Sequence, residues 1–201
     1  SILARNYLPA ELYPQLSKVH VTIAVLVQAA NNLEDTELML SAASQNDWIK
    51  GVVGWVPLQD PSKTQALIEN WKATNTYLKG IRHLIHNEAN ENWLLQDSVI
   101  ESLKILAHHH ITYDIVGVKE AHLKAAITIA EKIPNLNLVL DHLNNPPMTN
   151  QTEMDRWRTN IKVAAQLKNI HAKISGLAMA TGQFETWTSA DIHASIEYAL
   201  E

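Results

Sequence analysis

A rhythm constrains this chain more than any single motif. Six short stretches rich in β-branched and aliphatic residues recur about every thirty residues, and helical periodicity fills the gaps between them. They are HVTIAVLVQA (20–29), GVVGWVPL (51–58), GIRHLI (80–85), ITYDIV (111–116), LNLVLDHL (136–143) and HAKISGL (171–177). Their starts are 31, 29, 31, 25 and 35 residues apart, the length of one strand and one helix. The stretches do not alternate cleanly, as expected of parallel strands covered on both faces. Helices are expected over about 33–46 behind Asn32, 61–75 behind Asp60-Pro61, 94–109, 119–132, 151–168, and from Ser189 onward. Six consecutive βα units imply an α/β protein, either doubly wound or a (β/α)8 barrel. A doubly wound nucleotide fold calls for a glycine-rich turn after its first strand, and here that turn reads AANNLED. The TIM barrel is therefore the expected fold, with two of its eight strands unaccounted for.

Composition narrows the function. The 201 residues are 46% hydrophobic and 18% charged, with a formal net charge of -5 and no basic stripe, so nucleic acid is not an expected partner. The apolar runs are too short to span a bilayer, so a membrane is not expected either. There is no cysteine, which excludes disulfides and thiolate metal sites and is compatible with a reducing cytoplasm. A small-molecule substrate is the partner that remains, and homodimerisation is compatible with the sequence.

In a parallel barrel the C-terminal strand ends carry the chemistry and the N-terminal ends carry stability. That polarity sorts the ten histidines. His20, His171 and the run His108-His109-His110 fall on the bottom, and His193 lies in the last helix. His83, His86 and His142 come at or just past strand ends, with His122 within reach of the same rim. His142 adjoins Asp141 and precedes an Asn-Asn-Pro-Pro exit. Alternation groups Leu138, Leu140 and His142 on one face and Val139 and Asp141 on the other, so a His142 in the barrel mouth would send Asp141 towards the helices. Arg82, embedded in an aliphatic strand, needs water, a carboxylate such as Asp114, or a substrate oxygen. Gln28, Trp55 and Asp114 also lie near upper strand ends. Lys173 and Ser175 alternate with Ala172, Ile174 and Gly176, so one set faces inward.

The ordered set IKGVVGWVPL, LKGIRHLIHNEANENWLL, VLDHLNNPP and AKISGL resembles the amidohydrolase-related branch of the amidohydrolase superfamily. It is similar there to sugar-lactone hydrolases such as L-fuconolactonase and L-rhamnonolactonase, and more distantly to 2-pyrone-4,6-dicarboxylate lactonase. The resemblance spans nearly the whole chain and implies a single, incomplete barrel domain over residues 1–201, covering about strands 2–7. It implies a hydrolase that opens a small cyclic ester such as an aldonolactone by water attack on a polarised carbonyl. On that pattern His142 polarises the carbonyl or ligates a metal, and Arg82 contacts substrate oxygens. Gln28, Trp55, His83 and Asp114 would bind substrate. The family's first-strand H-x-H pair and last-strand Asp are not in the sequence, so the natural protein is expected to extend at both ends by about seventy to eighty residues. A divalent metal, Zn or Mn, and a metal-free route both stay open. The alternatives are an amidohydrolase-type decarboxylase of an aromatic acid and a non-catalytic sugar-binding barrel.

Overall fold

The computed structural model describes residues 5–183 and 185–201. Six strands, β1 (Ala24–Val27), β2 (Ile49–Gly54), β3 (Leu78–His83), β4 (Thr112–Ile115), β5 (Leu138–Leu140) and β6 (Ile170–Ala172), form one sheet. Every neighbouring pair is parallel, and the spatial order is the order of the chain. A doubly wound sheet must reverse its strand order at some point, and this one never does. The sheet is an arc of a barrel.

Between the strands run α2 (Leu33–Gln45), α3 (Pro61–Thr74), α4 (Asp97–His108), α5 (Glu120–Lys132) and α6 (Gln151–Ala164), with α1 (Pro9–Lys18) before β1 and α7 (Ser189–Leu200) after β6. The N-caps are local: Asn32, Asp60 and Asn150 each accept from the backbone N–H three residues on, which satisfies donors a helix start leaves open. The sequence pattern anticipates all of these elements except α1, whose start is fixed by Pro9 and by Glu11 accepting from the Leu8 amide. The strands are shorter than expected. The first does not begin until Ala24, beyond His20 in the left-handed region, and the last two stop at Leu140 and Ala172.

One face of the arc is packed. Ile81, Tyr113, Ile115, Leu138 and Leu140 are buried with Ile68, Leu103, Leu106, Leu123 and Ile129 from the helices. The opposite face holds the alternate residues, and register places Arg82 beside Asp114, Asp114 beside Val139, and Val139 beside His171. This inner face is open at its lower end, where Val25 and Lys79 are exposed, and becomes charged at its upper end. No helix among the described residues is long and apolar enough to cross a membrane.

Candidate active site at the upper strand ends

Four charged side chains meet on the upper inner face. Arg82 Nη1 lies 2.8 Å from Asp141 Oδ2, and Lys173 Nζ lies 2.8 Å from Asp141 Oδ1. Lys173 also donates to Asp114 Oδ2, so Asp141 bridges the two cations and Lys173 bridges the two carboxylates. Both aspartates are buried, while the Arg82 and Lys173 side chains keep 14% and 37% of their exposure, so the cations are the members open to the barrel interior. Burial pushes the Asp114 carboxyl above the usual carboxylate range, against the pull of Lys173. Burial alone would lower the Lys173 ammonium, but its bonds to Asp114 and Asp141 outweigh that and hold it above the ordinary lysine range. Lys173 is therefore a cation at neutral pH.

Asp141 thus faces inward with Val139, as alternation along β5 requires, and it is His142 that leaves the face shared by Leu138 and Leu140. Alternation fails at His142 because the strand ends at Leu140, and His142, Leu143, Asn144 and Asn145 all take left-handed backbone angles, with φ of 57, 54, 56 and 51°. L-residues visit that region singly, and a run of four is costly unless the surroundings hold it. Here Leu143 N–H donates to Lys173 O at 3.1 Å, Trp157 Nε1–H donates to Leu143 O at 2.9 Å, and Pro146-Pro147 follow at once. The turn carries His142 to the rim, where Nδ1 lies 2.8 Å from Ser175 Oγ.

The remaining predicted residues form a support behind the rim. Gln28 is fully buried; its Nε2 donates to Arg82 O at 3.0 Å, and Arg82 Nη2 donates back to Gln28 O, tying β1 to β3 across the end of β2. Gln28 Oε1 and Arg82 Nε have no hydrogen-bond partner among the described residues. β2 peels away there because Trp55 N–H turns to Thr36 Oγ1 at 2.8 Å. His83, next in line after inward-facing Arg82, points into the helix layer and stacks on Trp93 with ring centroids 4.1 Å apart. Its Nδ1 accepts from Trp55 Nε1–H at 2.9 Å, so the ring proton sits on Nε2 and donates to Glu88 at 2.7 Å. Burial lowers the His83 pKa, against Glu88, which keeps the ring neutral and the Trp55 bond intact. The structure brings Arg82, Asp114 and His142 to one rim with Lys173 and Asp141. It places His83 behind that rim as a holder of Trp55. His122 is buried in α5 with Nδ1 accepting from Val118 N–H, and His86 is exposed.

Lys173 is the residue that alternation alone left undecided. Its visible signal was position, one step beyond the aliphatic part of the last strand, like Asp141 on its neighbour. Among the described residues no group of three or more His, Asp and Glu could hold a metal ion, so these residues do not by themselves fit a divalent cation.

Comparison with known proteins gives the setting. A family model described as Amidohydrolase matches residues 1–201. The chain is similar to an L-fucono-1,5-lactonase of Burkholderia ambifaria, 30% identical over 196 residues, covering 96% of this chain and 62% of that protein. It spans less than two thirds of that relative's length. Among solved structures it is similar to an amidohydrolase from Burkholderia multivorans with bound zinc, at TM-score 0.89 and 26% identity, over 99% of this chain and 70% of that one. A probable 2-pyrone-4,6-dicarboxylic acid hydrolase from Acinetobacter baumannii shares the fold at TM-score 0.72 and 18% identity, over 98% and 71% of the two chains.

Proposed function

Because this chain belongs to the amidohydrolase family, its family match running from residue 1 to residue 201, we propose that the protein is a lactonase that opens a small, neutral sugar lactone by water attack on the ring carbonyl. The observation that carries this reading is the charge balance of the rim. Arg82 and Lys173 are matched one for one by Asp114 and Asp141. A balanced rim that still presents N–H donors suits an uncharged, hydroxyl-rich ring. A dicarboxylate or an aromatic acid would need surplus cations to offset the desolvation of its own charge.

In the proposed reaction His142 polarises the lactone carbonyl at the rim. Arg82 stabilises the oxyanion as the tetrahedral intermediate forms, since donors fixed in advance act without reorganising. Trp55, held at its indole N–H by His83, offers its ring as a wall for the apolar face of the sugar. Gln28 keeps the Arg82 backbone in place. Water adds to the carbonyl carbon, the ring C–O bond breaks, and the alkoxide takes up the proton released by the water.

The complete protein, assayed against a panel of aldonolactones that includes L-fucono-1,5-lactone, should acidify an unbuffered solution as acid is released. Loss of CO2 from an aromatic carboxylate with no lactone opened would replace this reading with a decarboxylase. Binding of sugars with no turnover of either class would leave a binding barrel.

A further inference from the structure

Past β6, Lys173-Ile174-Ser175-Gly176 climbs along the turn that carries His142. Ser175 Oγ sits 2.8 Å from His142 Nδ1. Gly176 lies under the same ring: a Cβ there would stand 2.5 Å from Nδ1, 2.8 Å from Cγ and 2.9 Å from Cε1. Its φ of +63° is also one that glycine adopts without strain. The backbone beneath is pinned, with Lys173 N–H donating to Leu140 O at 2.9 Å and Asn145 N–H to His142 O at 2.8 Å. The ring is therefore held from below at Gly176 and from the side at Ser175, and Nε2 is the nitrogen left to work.

We infer that Ser175 and Gly176 are positioning residues that seat the His142 imidazole and fix its proton on Nε2, making it a hydrogen-bond donor to the substrate carbonyl. This rests on the lactonase reading for its chemistry, but the seat is a property of the fold. A serine hydroxyl can donate or accept, so the sense of the Ser175 bond is part of this inference. A hydroxyl has a proton to place, and His142 Nδ1 is the acceptor found for it. A metal-ligating imidazole normally donates its second N–H to a carboxylate, a backbone carbonyl or water, and the partner here is none of these. Protonated at Nε2, the ring presents a donor where the carbonyl oxygen arrives.

Nitrogen-15 NMR of the complete protein labelled at histidine reads this directly. The neutral His142 ring should be almost wholly in the Nε2–H form, assigned by its loss in His142→Ala. Ser175→Ala should leave a mixture of both forms and lower kcat about tenfold with KM little changed, the size usual for a group acting through another. Ser175→Thr keeps the hydroxyl and should restore both readouts. Gly176→Ala should shift the His142 signals even where the melting temperature shows a folded protein. A wild-type ring protonated on Nδ1, or a Ser175→Ala ring unchanged from wild type, would overturn the inference. An Nε2–H ring in a protein that opens no lactone would uphold the seat and reject the lactonase reading.

Discussion

Two strands of this sheet end in a charged residue followed by histidine, Arg82-His83 on β3 and Asp141-His142 just past β5, and the two pairs come to opposite ends. On β3 the strand runs through both residues, so alternation holds. Arg82 faces the interior and His83 is driven into the helix layer, stacked on Trp93 with both ring nitrogens engaged. At β5 the strand stops at Leu140, alternation still turns Asp141 inward onto Arg82 and Lys173, and the left-handed turn then brings His142 to the same rim on Ser175. The same two-letter pattern gives a structural histidine in one place and a rim histidine in the other. Backbone conformation decides which.

Breaking the shared contact between the two pairs should have the largest effect. Arg82→Met removes a half-buried cation from Asp141 and Gln28, and both activity and stability should suffer. The expected loss is about 10²–10³ in kcat/KM for a lactone, together with about 3 kcal/mol of stability by denaturant titration. A stable variant with wild-type turnover would remove Arg82 from the site.

The two histidines should then separate activity from stability. His142→Ala is expected to lower kcat by about 10²–10⁴ while costing less than about 1 kcal/mol of stability, because the ring is only part-buried. His83→Ala should do the reverse. It strands the Trp55 indole N–H and the Glu88 carboxylate, costing about 2–4 kcal/mol, with kcat within about tenfold of wild type and a raised KM as Trp55 loosens. Equal stability losses in the two variants would erase the distinction between them.

The pH dependence of stability sharpens the contrast further. Burial depresses the His83 pKa, so below the ordinary histidine range near 6.5 the unfolded chain binds a proton that the folded one refuses. Stability should fall as pH drops from about 6.5 towards the folded-state pKa, by up to about 1.4 kcal/mol per unit for one such group. His122 is depressed by burial as well and acts in the same direction. The His83 share is therefore the difference between wild type and His83→Asn. Matching profiles for the two proteins would show that His83 titrates normally.

How much of this was legible beforehand depended on which rule governed each residue. The βα rhythm and the caps Asn32, Asp60 and Asn150 are local, and they located the strands and helices between β1 and α7. Polarity along the barrel put His142 and Arg82 at one rim without coordinates. That Asp141 and His142 share the rim was not legible, because Asp141 follows Val139 inward while His142 joins it only where alternation stops, and the stop is set by contacts from Lys173 and Trp157 that are remote in sequence. The partners of His83 were hidden for the same reason: Trp55 lies 28 residues before it, and the ring of Trp93 sits beyond the next loop. Lys173 carried a readable position but an undecided direction. Its two aspartates come from β4 and from the end of β5, and only the sheet order brings them together.

The smallest expected effect tests whether the turn at β5 stores strain. Asn145 has φ 51° and ψ 73°, and it precedes a proline, which disfavours a right-handed alternative. Glycine there relieves a left-handed cost of about 1 kcal/mol but adds about 0.5–1 kcal/mol of chain entropy to the unfolded state. The two nearly cancel, and Asn145→Gly should melt within about 2–4 °C of wild type. Directly after β3, Leu84 has an ordinary φ of -78°, so Leu84→Gly has no strain to relieve and bears the entropy in full along with lost packing. Asn145→Gly destabilising as much as Leu84→Gly would show that the left-handed path costs nothing. The contrast between the two strand ends would then have to rest on side-chain contacts alone.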